Sequence, residues 1–352
     1  MEKNLILGIE SSCDDSSIAL IDIKTYNCVE YLKISQEKEH CEFGGVVPEL
    51  AARLHTAALP KLLEKIKQHF DNIAAIAVTN MPGLSVSLVG GVSMAKALSV
   101  SLSIPLIEVN HLLGHIYSLF LDCEAKFPLG VLLVSGGHTM VLDIDKDKNI
   151  KIVAKTGDDS FGESFDKVAK MMNLGYPGGA VIENLAKNGT SKYNFTIPLL
   201  HDKRVEYSFS GLKNQVRLAI EECENLSQAD KENIAFSFQK AAISHIMDKL
   251  SKVYEVKKWK NFGVVGGASA NLVLRQNLEN LCSKFNANLL TAPLKYCSDN
   301  ALMIARVGVE KYKMGKFISY QNLEIKPKID KLCLWNFKIS WQCNKLNFKF
   351  SS

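Results

Sequence analysis

The chain has 352 residues, 47% of them hydrophobic, nine cysteines and a formal net charge of +5, enough apolar material for a core divided between two lobes. No apolar run approaches the ~20 residues that span a bilayer. The first ten residues read as a strand and not as a signal peptide, and an odd cysteine count without a C-x-x-C pair reads as reduced, mostly buried thiols, so a cytoplasmic protein is expected. The charge is uneven. Residues 311–352 hold nine lysines against Glu324 and Asp330, a balance of +7 that leaves residues 1–310 at −2.

In chain order, Leu5-Ile6-Leu7-Gly8-Ile9 predicts a strand, Glu10 to Ser17 a polar turn, and Ile18 to Asp22 the returning strand of a hairpin. Gly44-Gly45-Val46-Val47-Pro48-Glu49 leads into a helix bearing Glu49, Arg53 and His55, with Glu49 and Arg53 spaced for an ion pair. Ala74 to Thr79 reads as a strand that turns through Asn80-Met81-Pro82-Gly83 onto a small-residue helix, Val86 to Leu102. Next come His111 and His115, one helical turn apart, whose Cβ atoms would lie roughly 5–6 Å apart on one face. That spacing suits two imidazoles on one metal, and it equally suits a packed pair. A metalloprotease would need H-E-x-x-H, and Leu112 occupies the position of the general base.

The opening pattern then recurs. Val131 to Val134 enters Ser135-Gly136-Gly137-His138-Thr139, and Met140 to Ile144 returns. A duplicated hairpin with a small, polar tip predicts two related lobes facing a cleft, with backbone N–H groups at the tip available to an anion. Gly157 to Lys167 packs Asp158, Asp159, Glu163 and Asp166 into one glycine-containing turn, read as a ligand-binding turn. Tyr176-Pro177-Gly178-Gly179 is a tight turn open to close approach. Lys231 to Tyr254 has helical period with Ile234, Phe238, Ala241, Ala242 and Ile246 inward. Phe262 to Val265 runs through Gly266-Gly267-Ala268-Ser269-Ala270-Asn271 onto a helix, Leu272 to Leu281, a general anion-binding arrangement. Neither strand–glycine–helix unit fits G-x-G-x-x-G, which argues against a dinucleotide site. Asp299 stands at a helix start, as an N-cap or as the carboxylate completing a two-His, one-carboxylate site. After Asn322 periodicity fades, and Trp335, Phe337, Trp341, Phe348 and Phe350 alternate with lysines, as an RNA-contacting patch or a packed strand.

Taken in order over roughly residues 5–310, these blocks, with Phe209-Ser210-Gly211-Leu212-Lys213 and Ser298-Asp299-Asn300-Ala301, resemble the TsaD family of tRNA adenosine threonylcarbamoyltransferases, once called O-sialoglycoprotein endopeptidases. His138 resembles the bacterial and organellar branch. Glu183 stands where many relatives have Asp, Asn214 where Thr is common, and the segment after about residue 320 departs from the family pattern. The resemblance implies a two-lobed α/β fold like actin and hexokinase, a duplicated RNase H-like architecture. Lobes are expected over 1–125 and 126–320, with a basic tail over 321–352.

The resemblance further implies transfer of threonylcarbamoyl from threonylcarbamoyl-AMP to N6 of the adenosine 3′ of the anticodon, in tRNAs reading codons that start with A. By position, His111, His115 and Asp299 match the family's ligands for one divalent metal, iron(II) by the usual assignment, with zinc an alternative. Val134, Ser135, Gly136, Gly137, His138, Asp166, Gly179, Glu183 and Asn271 match its adenylate-binding positions. Glu10 and Asp14 are the candidates for a general base. Implied partners are tRNA, a paralogous actin-like subunit and a small ATPase, without a membrane. A metalloprotease, a kinase or ATPase of the same fold, and a non-catalytic nucleotide-binding scaffold are the rivals.

Overall fold

A computed structural model describes residues 3–200, 202 and 204–328. Strands β1 (Leu5–Glu10) and β2 (Asp15–Asp22) form the first expected hairpin, and β3 (Cys28–Ser35) extends it as an edge. Helix α1 (Glu37–Cys41) and helix α2 (Pro48–Glu64), opened by a proline at its first position, precede β4 (Ile73–Met81). Helix α3 (Ser85–Leu102), strand β5 (Leu106–Asn110) and the short α4 (His111–Tyr117) follow. The sheet runs β3-β2-β1-β4-β5, with β1, β4 and β5 parallel.

The second half repeats this path. β6 (Leu129–Val134), β7 (Thr139–Ile144) and β8 (Ile150–Lys155) form an antiparallel set. After α5 (Phe161–Met171), α6 (Gly178–Ala186), α7 (Ser210–Glu221) and α8 (Gln228–Lys257), strands β9 (Asn261–Val265), α9 (Leu272–Lys284) and β10 (Asn288–Thr291) complete it. Its order, β10-β9-β6-β7-β8, is the first sheet's order in mirror reading, so each hairpin pairs in parallel with a later strand. The two-lobed, duplicated α/β architecture read from the hairpin repeat is present. The five residues assigned to the core of α8 are all buried, and Ser227 with Asp230 forms a capping box at its start.

Alternation along β1 divides the first lobe's packing. Leu7 and Ile9 join Leu59, Leu62, Val92 and Ala95 of α2 and α3, whereas Ile6 belongs to a core shared with α4, β6 and β7. The last described helix, α10 (Ala301–Lys313), packs in that shared core against β1, β2 and β4, although its residues fall within 126–320. Gly8 permits this approach: a β-carbon there would overlap the Ala301 carbonyl and lie 2.7 Å from Ala305 N. Gly308 likewise admits Ala77, which a β-carbon would meet at 2.5 Å.

Three expectations change. Helix α3, with mean hydropathy 1.4 over 18 residues, does meet the length and composition of a membrane-crossing helix, because its serines, glycines and Lys96 do not offset its apolar residues. In the fold it packs against α2 and β4. Glu49 and Arg53 are exposed and, among the described residues, no ion pair joins them. The start of the basic tail is engaged: Leu323 is buried, Asn80 Nδ2 donates to the Glu324 carbonyl at 2.8 Å, and Gly83 N donates to the Pro327 carbonyl at 3.2 Å. The aromatic residues Trp335 to Phe350 lie outside the described residues.

Candidate metal centre and adjoining glycine cradle

Strand β5 ends at Asn110, whose side chain caps α4 by accepting from Leu112 N and Leu113 N at 2.8 and 3.3 Å. The cap starts the helix at His111 and leaves His115 on the same face, the two rings edge to face at 4.7 Å. Asp299 arrives from the other end of the chain. Asn300 is the N-cap of α10, accepting from Met303 N at 2.9 Å, so Asp299 is released from that role. Its Oδ1 lies 3.3 Å from His111 Nε2 and 3.2 Å from His115 Nε2, and the three ligand atoms lie within 4.8 Å of one another.

Glu10 stands behind His111. Its Oε2 is 3.1 Å from His111 Nδ1 and accepts from Thr79 Oγ1 at 2.6 Å, while Oε1 accepts from Ser12 N at 2.6 Å. Flanked by two carboxylates, His111 carries a proton on each nitrogen, Nδ1–H toward Glu10 and Nε2–H toward Asp299. A cation at Nε2 would replace the second proton, and a carboxylate at Nδ1 is the arrangement found behind metal-bound histidines. Burial opposes charge on His111, but Asp299 and Glu10 outweigh it and hold the imidazole well above its ordinary range. Burial likewise opposes charge on Asp299, which the His111 charge nevertheless holds well below the usual carboxylate range. For His115 burial prevails and the pKa falls. Neither ring nitrogen of the fully buried His115 makes a well-aligned hydrogen bond. Two imidazoles and one carboxylate, with the buried His115 nitrogens lacking a well-aligned hydrogen bond, fit a divalent transition metal in donor type and number.

The tip of the second hairpin lies within reach of this centre's charges. Burial, then the charges of His111 and His115, push His138 down to about 4. Ser160 Oγ donates to the Gly136 carbonyl at 2.6 Å, and a β-carbon on Gly162 would lie 2.6 Å from the Ser135 carbonyl, so the start of α5 seats against the tip. On the other side Gly266, at φ +94°, abuts the carbonyl of the buried Val134. From α5, Asp166 accepts from Gly178 N at 2.7 Å, and burial raises its pKa against that bond. From α6, Glu183 accepts from Leu272 N at 2.8 Å. Asn271 caps α9 through Leu274 N and donates to Gln239 Oε1 at 2.9 Å. These contacts bring the elements that carry positions 134–138, 166, 179, 183 and 271 against one another. Gly136, Gly137, Gly179 and Gly267 differ from their neighbours: a β-carbon there would meet nothing within 4 Å, and none has a positive φ. Neither packing nor backbone conformation demands glycine at these four positions, and together they leave an open cradle.

The acidic turn does mostly structural work. Asp158 caps α7, accepting from Phe209 N and Ser210 Oγ at 2.8 and 2.6 Å, and Asp159 pairs with Lys167 and Lys213. Glu163 also pairs with Lys167. Phe161 and Phe165 are core. Asp14 sits half-buried at the first hairpin tip, its charge felt by Asp166 and Tyr176 across the cleft. Sequence reasoning missed Ser12 and Thr79 as partners of Glu10, and Lys33 beside Asp299. Ser12 lies inside a quoted motif, but nothing local marks Thr79 or Lys33.

A family model described as "TsaD: tRNA N6-adenosine threonylcarbamoyltransferase" matches residues 27–306. A Campylobacter hominis protein named tRNA N6-adenosine threonylcarbamoyltransferase is 68% identical over 335 residues, covering 95% of this chain and all of its own. A protein of the same name from Campylobacter jejuni subsp. jejuni is 63% identical over 327 residues, covering 93% and 98%. Among solved structures, HypF of T. kodakarensis superposes with a TM-score of 0.59 at 14% identity, over 92% of this chain and 49% of that one. The Clostridium difficile activator of 2-hydroxyisocaproyl-CoA dehydratase, with bound ADPNP, gives 0.51 at 13% identity, over 89% and 97%. These two likenesses concern the fold, that of the two-lobed actin-like proteins.

Proposed function

The chain belongs to the TsaD family of tRNA N6-adenosine threonylcarbamoyltransferases, and from that membership we propose a substrate and a role for each residue of the cleft. Threonylcarbamoyl-AMP lies in the cradle of Val134 to His138, Asp166, Gly179, Glu183 and Asn271. Its acyl group passes to N6 of the adenosine 3′ of the anticodon in tRNAs reading codons that start with A. His111, His115 and Asp299 would hold one divalent metal, iron(II) in preference to zinc. When bound, such an ion supplies Lewis acidity and a template for oxygen ligands.

The chain's own residues do the rest. At the second hairpin tip the Ser135 and His138 N–H groups are bonded within the turn, and the Gly136 and Gly137 N–H groups between them are the donors for the phosphate and for charge that develops on the acyl oxygen. The N6 amine attacks the carbamoyl carbon, the bond to the phosphate oxygen breaks, AMP departs, and the amine loses a proton. Glu10 is enclosed by Ser12, Thr79 and His111, which makes it a support for His111. Asp14, half-buried at the tip, is the better-placed carboxylate for that proton. We place the lobe boundary at residues 125–126, with α10 returning to the first lobe. A paralogous actin-like subunit and a small ATPase complete the active assembly. The seven described cysteines, all free although only Cys282 and Cys297 are buried and not most of them as expected, agree with a cytoplasmic setting.

The observation that carries this reading is the convergence of His111, His115 and Asp299 on one point, close enough to the second hairpin tip for their charges to act on His138. Leu112, buried where a protease would hold its general base, weighs against peptide hydrolysis. The test supplies the full chain with threonine, bicarbonate, ATP, the adenylate-forming enzyme, both partners and tRNA, and follows threonylcarbamoyl-adenosine by mass spectrometry. His111→Ala should abolish transfer and leave adenylate formation intact. Metal-dependent proteolysis with no modified adenosine would overturn the reading and restore the protease.

A further inference from the structure

Of the three candidate ligands, His111 and His115 are anchored inside a buried helix, whereas Asp299 lies in a short loop ahead of α10 with a partly exposed side chain. A carboxylate outside regular structure needs its backbone held if it is to meet two imidazoles at a set distance. The contact that does so from the first sheet comes from Lys33, on the edge strand β3. Its ammonium lies 2.5 Å from Asp15 Oδ2, donates to Ser298 Oγ at 3.2 Å, and donates to the Asp299 carbonyl at 3.1 Å. An ammonium has three protons, and here three acceptors from two distant parts of the chain take them.

Two residues earlier on the same face of β3, the Tyr31 ring packs edge-on against Tyr296 at 5.5 Å. One strand face thus grips both ends of the Tyr296 to Asp299 loop. Asn300 braces the loop from within, donating from Nδ2 to the Tyr296 and Ser298 carbonyls at 3.1 and 2.8 Å. Lys33 takes Asp299 by its main-chain carbonyl, so both carboxylate oxygens stay available to the histidines and a cation. Asp15 offsets the positive charge that the ammonium would otherwise bring to a cation site, and Lys33 in turn offsets an aspartate that would repel Asp299.

We propose that Lys33, paired with Asp15, is a positioning residue that aims Asp299 at the metal centre. The proposal rests on reading His111, His115 and Asp299 as metal ligands. The test uses the full-length chain and Co2+ alone as probe, read by its visible d–d absorption. Lys33→Met should weaken Co2+ binding roughly ten- to hundredfold and alter the band pattern, with the metal-free melting temperature unchanged, and Lys33→Arg should restore both. Wild-type affinity and bands in Lys33→Met would overturn the proposal. Should that variant not fold, Lys33→Ala removes the same donors without placing a long apolar chain beside Asp15, and wild-type Co2+ behaviour there overturns it equally. His115→Ala, measured in parallel, separates the two readings. If it binds Co2+ as the wild type does, the metal assignment falls and takes the clamp with it. If it loses Co2+ while Lys33→Met keeps it, only the clamp falls.

Discussion

At the scale of single residues, what a side chain does here follows from what surrounds it. The glycines of the cradle are the clearest case. Gly137 and Gly179 have open space where a β-carbon would sit and no positive φ, so replacement by Ala should leave stability equal or higher by about 0.4–1 kcal/mol through the unfolded chain. The same methyl would intrude on a ligand. Gly137→Ala and Gly179→Ala are therefore expected to keep or raise the wild-type urea midpoint and weaken threonylcarbamoyl-AMP binding in calorimetry. A lowered midpoint would show that the glycines serve the fold. His245 gives a pH dependence of known sign. It is fully buried between Tyr207 and Phe209, its Nε2 accepts from Ser208 N at 3.1 Å, and burial, with the Lys249 charge, pushes it down to about 4. The unfolded chain takes up this proton near 6.5, the folded one only near 4, so stability falls with pH across that window. From pH 7 to pH 5 the wild type should lose about 2 kcal/mol more than His245→Gln in urea titrations. Equal losses would place the proton elsewhere.

At the scale of elements, the site depends on how closely α10 lies on β1. Asp299 stands one residue ahead of that helix's N-cap, Asn300, and Gly8 is where strand and helix backbones meet. A β-carbon at Gly8 would press on main-chain atoms of Ala301 and Ala305, which cannot rotate aside. Gly8→Ala should cost about 1–3 kcal/mol of stability, as overpacking does, and should also lower metal content if Asp299, just ahead of the displaced helix start, is the ligand proposed above. Urea unfolding and elemental analysis of the same preparation check both halves. Full metal content in a destabilised Gly8→Ala protein would mean that Asp299 is placed independently of the helix.

At the scale of the whole molecule, the lysine-rich end divides into parts with different work. Lys311 Nζ donates to the Glu108 carbonyl at 2.8 Å and Lys313 to Tyr26 Oη at 2.7 Å, so neither is spare charge for a polyanion. Leu323 is buried, and the chain as far as Pro327 is bonded to Asn80 and Gly83. Cutting after Asn322 would damage the first lobe. Cutting after Lys328 removes Lys331, Lys338, Lys345 and Lys349 without touching these contacts. If those lysines reach tRNA phosphates, that truncation should flatten the slope of log affinity against log salt by about 1–3. An identical slope would make them bystanders.

The local order of the chain determined a good deal. Strand alternation and polar tips made both hairpins legible, and their recurrence made the duplicated lobes legible, because a period of two and a turn are properties of neighbouring residues. The four-residue spacing of His111 and His115 was readable for the same reason. Asp299 was visible as a helix-start carboxylate, but its two alternatives could be separated only in space, where Asn300 takes the cap. Three-dimensional contact alone decided that α10 returns to the first sheet through Gly8 and Gly308, that Thr79 and Ser12 hold Glu10 behind His111, and that Lys33 reaches Asp299. It also decided that Asp158 and Asp159 serve a helix cap and ion pairs. Each of these joins residues far apart in the chain, and such pairings leave no period, spacing or composition for a sequence to display.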